Sequence, residues 1–325
     1  MTSNLLPRFL FAACLVISAS GYALAQGYPT KPLRLIVPFP AGGGSDIVGR
    51  ILAQKLGERL GQQVVVENRA GAGGSIGTEA AVRSAADGYT MVLAGTSEIS
   101  VNPAIYSKLT CDTARDLAAV AMIASTPMVV VVPPSLPVRN VNDLVELAIA
   151  KPGAVNVGSA GNGSFTHLAA ELFRSMNGLT WTHVPYKGAP PALIDLASGR
   201  VQVMFSTVPA AMSLIKSNLI RPVAVSTQAR AATLPDVPTV IESGIAGYDV
   251  QFWYGVFIPA ATPRDLVAKL SDAVAQSVKD QWVIDKLAEQ GATPGSMTQD
   301  QFAEYVRTEI AKWAKVVKES GAKVD

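Results

Sequence analysis

Two glycine-rich segments carry the residue types best suited to bind an anion through the protein backbone. Segment 39–46 reads Phe-Pro-Ala-Gly-Gly-Gly-Ser-Asp, and segment 158–164 reads Gly-Ser-Ala-Gly-Asn-Gly-Ser. Each follows a short apolar run and opens an amphipathic helical pattern. Glycine accepts positive φ and lets a ligand approach the backbone, while the free N–H groups at a helix start attract negative charge. The two segments therefore predict a cleft that holds a carboxylate or phosphate group from both sides.

Short strands alternating with helices must hold these segments in place. The apolar, β-rich runs lie at 33–37, 64–66, 90–94, 128–132, 155–157, 181–184, 201–205, 222–225 and 252–258. Helical patterns lie at 46–60, 76–84, 141–150, 165–176, 192–198, 263–278 and 299–317, with a shorter helix through 287. This alternation predicts an α/β fold in which parallel or mixed sheets are flanked by helices.

The helix at 46–60 has the clearest local signals. Ser45 is the candidate N-cap, and Gly61 is the candidate stop. The apolar residues that fall on one stripe are Ile47, Ile51, Leu52, Leu56 and Leu60. We expect this stripe to face the sheet.

The chain is predicted to form two lobes joined by two crossing segments. The helices after 258 need a sheet to cover, so the economical arrangement returns the chain to the first lobe after Tyr248. Domain 1 is then discontinuous, with residues 26–127 and 249–325, and domain 2 comprises residues 128–248. Ligands commonly bind in the hinged cleft between such lobes.

The beginning of the chain has the pattern of an export signal. Arg8 supplies the positive charge, 9–18 the apolar core, and Ala23-Leu24-Ala25 the cleavage site, so residues 1–25 are predicted to be removed before Gln26. Cleavage at Cys14, as in a lipoprotein, is the weaker interpretation because only a short apolar stretch precedes it. Without the signal only Cys111 remains, which excludes an intramolecular disulfide and a cysteine metal cluster.

Charge and hydropathy argue against nucleic-acid and membrane partners. The chain has 27 Lys and Arg against 25 Asp and Glu, and the basic residues are scattered. No run after the signal is long enough to cross a bilayer. The two histidines, His167 and His183, lack the companions of a metal site. We expect a soluble monomer that binds neither metal nor cofactor.

Several motifs, taken in order, resemble the Bug-type solute receptors of tripartite tricarboxylate transporters. Besides the signal, they are Pro-Phe-Pro-Ala-Gly-Gly-Gly-Ser-Asp at 38–46, Asn-Arg-Ala-Gly-Ala-Gly-Gly-Ser-Ile-Gly at 68–77, Asp-Gly-Tyr at 87–89, Pro-Tyr-Lys-Gly at 185–188 and Arg-Ala-Ala-Thr-Leu-Pro-Asp-Val-Pro-Thr at 230–239. The resemblance covers essentially the whole mature chain. It implies a two-lobed periplasmic binding protein without enzymatic activity, which captures a small organic carboxylate and delivers it to a membrane permease or acts in sensing.

The resemblance also implies which residues grip the carboxylate, partly through ordered water. From the first loop they are Phe39, Ala41, Gly42, Gly43, Gly44, Ser45 and Asp46, and from the second Ser159, Ala160, Gly161, Gly163, Ser164 and His167. Many relatives carry an Asp after the Met-Phe pair that matches 204–205, whereas this chain has Ser206. Since an Asp there could hold an ammonium group, Ser206 argues against an amino-acid ligand.

The residues themselves add further candidates and leave alternatives open. Thr96 and Ser97, with Asn102, follow a strand end that should face the cleft, and Tyr186 could form a wall of the site, with Lys187 a weaker candidate. Each glycine loop could instead be a tight turn without a ligand, Asp46 is expected to orient its loop, and His167 could be structural. The aromatic run 252–254 is interpreted as core.

The main enzymatic alternative is a serine hydrolase. The sequence Gly-Gly-Ser-Ile-Gly at 73–77 matches the G-x-S-x-G pattern, and histidines follow Ser75 downstream. A nucleophile of this kind must follow a strand directly, however, and 68–72 separates Ser75 from Val66. Ser75 is therefore predicted to cap a helix that faces the cleft, and an anion sensor is the other alternative to a transport receptor.

Overall fold

The computed structural model describes residues 27–320, so the predicted signal at 1–25 lies outside the described residues. Its strands are β1 Leu33–Val37, β2 Val64–Asn68, β3 Thr90–Gly95, β4 Leu117–Val132, β5 Asn156–Ser159, β6 Thr182–Pro185, β7 Val203–Thr207, β8 Arg221–Val225, β9 Gln251–Pro259 and β10 Thr293–Pro294. Together they form a ten-stranded sheet of order β2-β1-β3-β9-β4-β7-β5-β6, with β8 and β10 also paired to β4.

Helices cover this sheet. They are α1 Gly44–Leu60, α2 Ser75–Val82, α3 Asn102–Ile105, α4 Thr113–Asp116, α5 Val141–Ala150, α6 Phe165–Met176, α7 Ala189–Ala197, α8 Val208–Lys216, α9 Arg264–Val278, α10 Gln281–Glu289 and α11 Gln299–Ser320. A 3₁₀ turn at Ala72–Gly74 precedes α2, and a π-helical turn at Thr96–Val101 follows β3. Among residues 27–320, no helix is both long and apolar enough to cross a membrane.

The sheet is mixed, and β4 joins its two parts. Strands β2-β1-β3 are parallel, as are β6-β5-β7, whereas β4 and β9 run antiparallel to their neighbours. The first part of β4, Leu117–Pro127, pairs with β9, and its last part, from Met128 to Val132, pairs with β7 and β8. The predicted two-lobed α/β class is thus confirmed, while the domain boundaries at 127/128 and 248/249 stay a prediction.

Ser226 ties together the two chain segments that are predicted to connect the lobes. Its side chain accepts a hydrogen bond from the Met128 N–H at 2.8 Å and donates one to the Val250 carbonyl. Its backbone carbonyl accepts a further bond from the Val250 N–H at 3.0 Å. Because Ser226 is fully buried, it fixes both crossing segments at one point.

Helix α1 differs from its prediction at its start and on its buried face. It begins at Gly44 with Gly43 as N-cap, so Ser45 lies inside the first turn and is not the cap; Gly61, in the left-handed region at φ 66°, ends the helix as predicted. The predicted stripe is wrong at Ile47, Ile51 and Leu60, which are only half-buried. The buried face comprises Val48, Gly49, Leu52, Ala53 and Leu56. A glycine is needed at position 49, because a Cβ there would lie 3.1 Å from the Val37 side chain of the sheet.

Candidate functional site

Helices α1, α6 and α8 all begin at one small cavity, here called the inner cavity. Its volume of about 40 Å³ has room for only a few water molecules. Its walls are Phe39, Gly43, Gly44, Ser45, Ser97, Ala160, Ser164, Phe165, Thr166, Ala189, Thr207, Phe252 and Tyr254. None of these residues is Lys or Arg, so within the described residues the positive potential at this cavity comes from amide groups and helix dipoles.

A second, wider space, here called the outer groove, adjoins the inner cavity and shares Phe39 and Ala160 with it. Its volume is about 400 Å³. Its other walls are Pro40, residues 70–74, Tyr106, Gly161, Asn162 and residues 185–188. The predicted site residue Tyr186 lies here with Lys187, and its hydroxyl donates to the Asp195 carboxylate at 2.8 Å. Burial and this carboxylate raise the pKa of Tyr186 to about 12.

The first loop places two backbone amides of α1 at the inner cavity. Only Gly42 of its three glycines needs positive φ, at 79°, whereas Gly43 is extended at φ −78°. In the described structure no side chain caps the first N–H groups of α1, which belong to Gly44, Ser45 and Asp46. Gly44 and Ser45 line the cavity, while Ala41 and Gly42 are exposed and line neither space.

Asp46 holds the first loop in shape. Its carboxylate accepts hydrogen bonds from the Gly42 N–H at 2.9 Å, from Asn68 at 3.0 Å and from Arg50 at 3.0 Å. Burial by itself raises the pKa of Asp46, but the bonds from Arg50, Gly42 and Asn68 outweigh it and hold this pKa below its ordinary value. These three donors balance the negative charge of the ionised Asp46 carboxylate, which agrees with its expected role of orienting the loop.

The second loop also combines glycines of positive φ with the start of a helix, here α6, but this helix has a side-chain cap. Gly161 and Gly163 have φ of 127° and 71°. Ser164 is the N-cap and accepts from the His167 N–H at 3.4 Å, and the Ala160 N–H donates to Thr166 Oγ1 at 2.8 Å. Ala160 and Ser164 line the inner cavity, and Gly161 lines the outer groove.

Ser97 links the turn after β3 to the second loop across the cleft. It lies in the π-helical turn after β3, and its hydroxyl oxygen accepts a hydrogen bond from the Phe165 N–H of α6 at 3.0 Å. The Glu98 carboxylate fixes the beginning of this turn by accepting from the Gly95 N–H at 2.7 Å. Thr96, in contrast, accepts from the Trp253 N–H at 3.0 Å in the core and does not line the cavity.

His167 supports the second loop from outside the inner cavity. Its Nδ1 accepts from the Gly163 N–H at 3.3 Å, and its ring stacks on His183 with centroids 3.8 Å apart. His183 Nε2 is in turn 2.7 Å from the hydroxyl of Ser159. Burial lowers the pKa of His167, and burial with the neighbouring ring lowers that of His183 to about 4. The geometry therefore favours the structural interpretation of His167 over direct donation to a ligand.

The turn from β7 into α8 brings a residue to the inner cavity that the sequence did not predict. Ser206, the predicted residue, is fully buried and donates to the Thr207 carbonyl at 3.2 Å, whereas Thr207 lines the cavity. Phe252 and Tyr254 of β9, interpreted from sequence as core, also line it. Two features of the sequence could have indicated these residues. Thr207 is a polar residue at the end of β7, and Phe252 and Tyr254 are alternate residues of β9, so their side chains point to the same face of the sheet.

Ser75 does not have the surroundings of a hydrolase nucleophile. It occupies the first turn of α2, where Gly74 is the cap, so the prediction of a capping role is wrong. Its hydroxyl accepts a hydrogen bond from Asn102 Nδ2 at 3.0 Å. In the described part of the chain both histidines contact the second loop, whereas a nucleophilic serine needs a histidine within hydrogen-bond reach.

The two lobes contact each other around the cleft. Tyr106 donates to the Asn162 carbonyl at 2.8 Å, and Gly188 packs against the ring of Pro40 so closely that a Cβ would not fit. With the Ser97–Phe165 bond, these contacts join the first lobe to Asn162, Phe165 and Gly188 of the second. The inner cavity is therefore formed only when the lobes are together.

Comparisons with known proteins agree on one group. The sequence profile of the tripartite tricarboxylate transporter family receptor matches residues 48–322. The protein BugT of Bordetella pertussis is 37% identical over 321 residues, covering 98% of each chain.

Solved structures have the same fold. The R. palustris protein Rpa4515 with adipate has a TM-score of 0.88 and 38% identity, with 91% of this chain and 99% of that one covered. MatC from Rhodopseudomonas palustris with bound malate has a TM-score of 0.85 and 28% identity, with 89% and 100% covered.

Proposed function

Because this chain belongs to the tripartite tricarboxylate transporter receptor family, we propose that it is a periplasmic receptor for a small organic carboxylate. The observation that carries the proposal is the convergence of uncapped α1 amides with the start of α6 on one cavity without a cationic wall. Backbone N–H groups at helix starts bind carboxylates without a basic side chain. The inner cavity would hold one carboxylate, and the outer groove the rest of the ligand.

The energy available from such a site is sufficient for a transport receptor. Each hydrogen bond to a charged group contributes about 1.5–3 kcal/mol, and a helix N-terminus contributes about 0.3–2 kcal/mol. Several such contacts, after subtracting the cost of ordering the ligand and closing the lobes, give a dissociation constant on the order of micromolar.

Dicarboxylates are the ligand class that we propose. Two family members of the same fold have adipate and malate bound, as their names state. A second carboxylate in the outer groove would lie on the side of Lys187. Ser206 offers no charge for an ammonium group, which supports a ligand without an amino group.

Presentation of the ligand to a tripartite tricarboxylate-type permease is the role that we infer for the loaded receptor. The chain is proposed to act as a monomer without catalytic activity, and residues 1–25 as a signal removed before Gln26. N-terminal sequencing of the exported protein tests the signal. Pull-downs with the loaded receptor distinguish delivery to a permease from contact with a sensor, and ester turnover abolished by Ser75→Ala would replace the proposal by a hydrolase.

Calorimetry tests the ligand class directly. Native mass spectrometry identifies any carboxylate retained through purification, and titration with malate, adipate, an aromatic carboxylate, aspartate and glutamate follows. We expect micromolar binding of at least one dicarboxylate. Binding of the amino acids alone, or of none of these compounds, contradicts the proposal.

A further inference from the structure

We propose that Tyr254 and Thr207 form a third contact on the bound carboxylate, in addition to the two glycine loops. Both hydroxyls lie at the inner cavity, beside the first amide of α1. The proposal rests on the proposed function, since it assigns these hydroxyls to the same carboxylate. It makes Tyr254 a ligand-binding residue and the start of α8 a further anion-facing helix end.

Tyr254 has a buried hydroxyl that the protein leaves unsatisfied. The residue is 1% exposed, and its Oη makes no hydrogen bond of good geometry among residues 27–320, although the Thr207 hydroxyl lies beside it and acts to lower its pKa. Buried polar groups are nearly always paired, because an unpaired one loses its hydrogen bonds to water without replacement. Tyr248 shows the ordinary arrangement, since its equally buried hydroxyl donates to the Ala169 carbonyl at 2.9 Å. The exception at Tyr254 therefore points to a partner that the ligand supplies.

Gly44 indicates where this partner binds. A Cβ at Gly44 would lie 2.5 Å from Thr207 Oγ1 and 2.7 Å from Tyr254 Oη. The two hydroxyls therefore lie directly against the first residue of α1, an approach that the missing side chain of Gly44 allows. All three residues line the inner cavity. An oxygen atom of a carboxylate bound there would be in reach of donors from α1, β9 and the β7–α8 turn.

The chemistry of both side chains suits a carboxylate. Burial raises the pKa of Tyr254 far above neutrality, so the hydroxyl is protonated and donates. Thr207 is the N-cap of α8, yet its side chain makes no capping bond to the described part of that helix. Its hydroxyl is therefore available to donate to the ligand, and the α8 dipole favours negative charge at the same place. Hydrogen bonds to a charged group are the stronger kind.

The test uses variants that remove one hydroxyl each and keep the shape. Tyr254→Phe and Thr207→Val are titrated by calorimetry with adipate and malate, beside the wild type and the control Tyr248→Phe. We expect the dissociation constant to rise about 10-fold or more in each cleft variant, while Tyr248→Phe binds as the wild type does.

Thermal unfolding supplies a second readout that a purely structural role would not produce. Without ligand, Tyr254→Phe should melt at or above the wild-type temperature, since it deletes an unpaired group, whereas Tyr248→Phe should melt lower. With adipate or malate, the stabilisation of Tyr254→Phe should be smaller than that of the wild type.

The outcomes separate this inference from the proposed function. If the wild type binds a dicarboxylate and both cleft variants bind it equally well, the third contact is wrong and the receptor function stands. Melting of ligand-free Tyr254→Phe well below the wild type also contradicts the inference, because the hydroxyl would then have a partner within the protein. Failure of the wild type to bind any carboxylate overturns both.

Discussion

The space around each glycine decides which substitutions the first glycine loop tolerates. A Cβ at Gly44 would lie too close to Thr207 and Tyr254, whereas a Cβ at Gly43 would have its nearest neighbour, the Pro40 carbonyl oxygen, at 3.3 Å. Gly43 also has an ordinary extended backbone, with φ −78° and ψ 166°. The adjacent glycines therefore have different roles: Gly44 makes room for the hydroxyls of Thr207 and Tyr254, and Gly43 is the N-cap of the helix.

Gly44→Ala should weaken binding far more than Gly43→Ala. The methyl group at 44 would displace the Thr207 and Tyr254 hydroxyls that are proposed to contact the carboxylate, so we expect a rise in the dissociation constant of about 100-fold, from the loss of one to two charged hydrogen bonds. Calorimetry with a dicarboxylate that binds the wild type measures both variants. Equal, near-wild-type affinities for the two alanine variants would place the ligand elsewhere.

Asp46 should stabilise the fold in a pH-dependent way. Its pKa is lowered in the folded protein, so its contribution is present above the unfolded value of about 3.9 and is lost as the pH falls through the lower folded value. Asp46→Asn should cost about 1–3 kcal/mol of unfolding free energy at pH 7, because the Gly42, Asn68 and Arg50 bonds weaken.

Urea unfolding of wild type and Asp46→Asn between pH 3 and 7 measures this difference, which should shrink at the acid end. Glu304→Gln is the control, since the exposed Glu304–Arg307 pair should contribute little. A cost for Asp46→Asn that stays constant with pH would show that the charge of Asp46 is not what holds the loop.

Residue types alone predicted the two glycine loops well, but they did not predict the residues on the opposite wall of the inner cavity. Glycine and N-cap chemistry is local, so 39–46 and 158–164 could be assigned to helix starts from the sequence. Tyr254 could not, because an aromatic residue in a strand is usually core, and only the pairing of β9 with β3 and β4 brings it to the cleft. Ser206 was predicted from its position after the Met-Phe pair of the family motif, whereas β7 ends at the next residue, Thr207, and that residue lines the cavity.

Helix α6 and strands β5 and β6 together support the second loop. The stacked rings of His167 and His183 join α6 to β6, and each ring also bonds to the loop, through Gly163 and Ser159 respectively. Glu171 and Arg174 of α6 supply the charges that act on His167. Packing of neutral imidazoles thus underlies the shape of this half of the site.

The histidine stack should make the protein less stable as the pH falls from about 6.5 to about 4. The pKa of His183 drops from an ordinary value near 6.5 to about 4 on folding, so in this interval the unfolded chain binds more protons. His183→Gln should remove about 1–2 kcal/mol of this pH-dependent loss, after allowance for the partial exposure of the ring.

Thermal or urea unfolding of both proteins at half-unit pH steps measures the two slopes. The carboxylates that titrate at the acid end are common to both chains, so the difference between the slopes isolates His183. Parallel curves for wild type and His183→Gln would contradict a neutral, partly buried His183.

Most helices and strands could be placed from the sequence, but the first part of β4 and the turn after β3 could not. Most helices and strands were predicted within a few residues because their apolar periodicity is strong. The first part of β4 was not, since Leu117–Pro127 is rich in alanine and becomes a strand through its pairing with β9. The π-helical turn at Thr96–Val101 has one local bond, from Gly95 to Glu98, and is otherwise held by tertiary bonds to Thr96 and Ser97, which no local pattern reveals.

At the scale of the whole molecule, we propose that ligand binding and lobe closure are one process. The inner cavity has walls from both lobes, and Tyr106 bonds to Asn162 across the cleft. A ligand that contacts both lobes stabilises the closed arrangement by its differential contacts with that state. The radius of gyration measured by small-angle scattering should therefore decrease when the receptor is saturated.

Tyr106→Phe should weaken the closed state without changing either lobe. Loss of one neutral hydrogen bond raises the dissociation constant by about 2–10-fold, while saturating ligand still compacts the molecule. Tyr28→Phe is the matched control, because that hydroxyl donates to the Gly88 carbonyl within one lobe. Calorimetry and scattering measure both variants, and an unchanged affinity for Tyr106→Phe would mean that the Tyr106–Asn162 contact is absent from the bound state.

The shared strand β4 also has a consequence for how the protein denatures. Its residues Leu117–Pro127 complete the sheet beside β9, and Met128–Val132 complete the sheet beside β7 and β8. Unfolding of either part of β4 would remove hydrogen-bond partners from the sheet beside the other part. We therefore expect the two lobes to unfold together and not as independent cooperative units. Calorimetric scans should accordingly give one endotherm, and either lobe expressed alone would carry an unsatisfied sheet edge that invites aggregation.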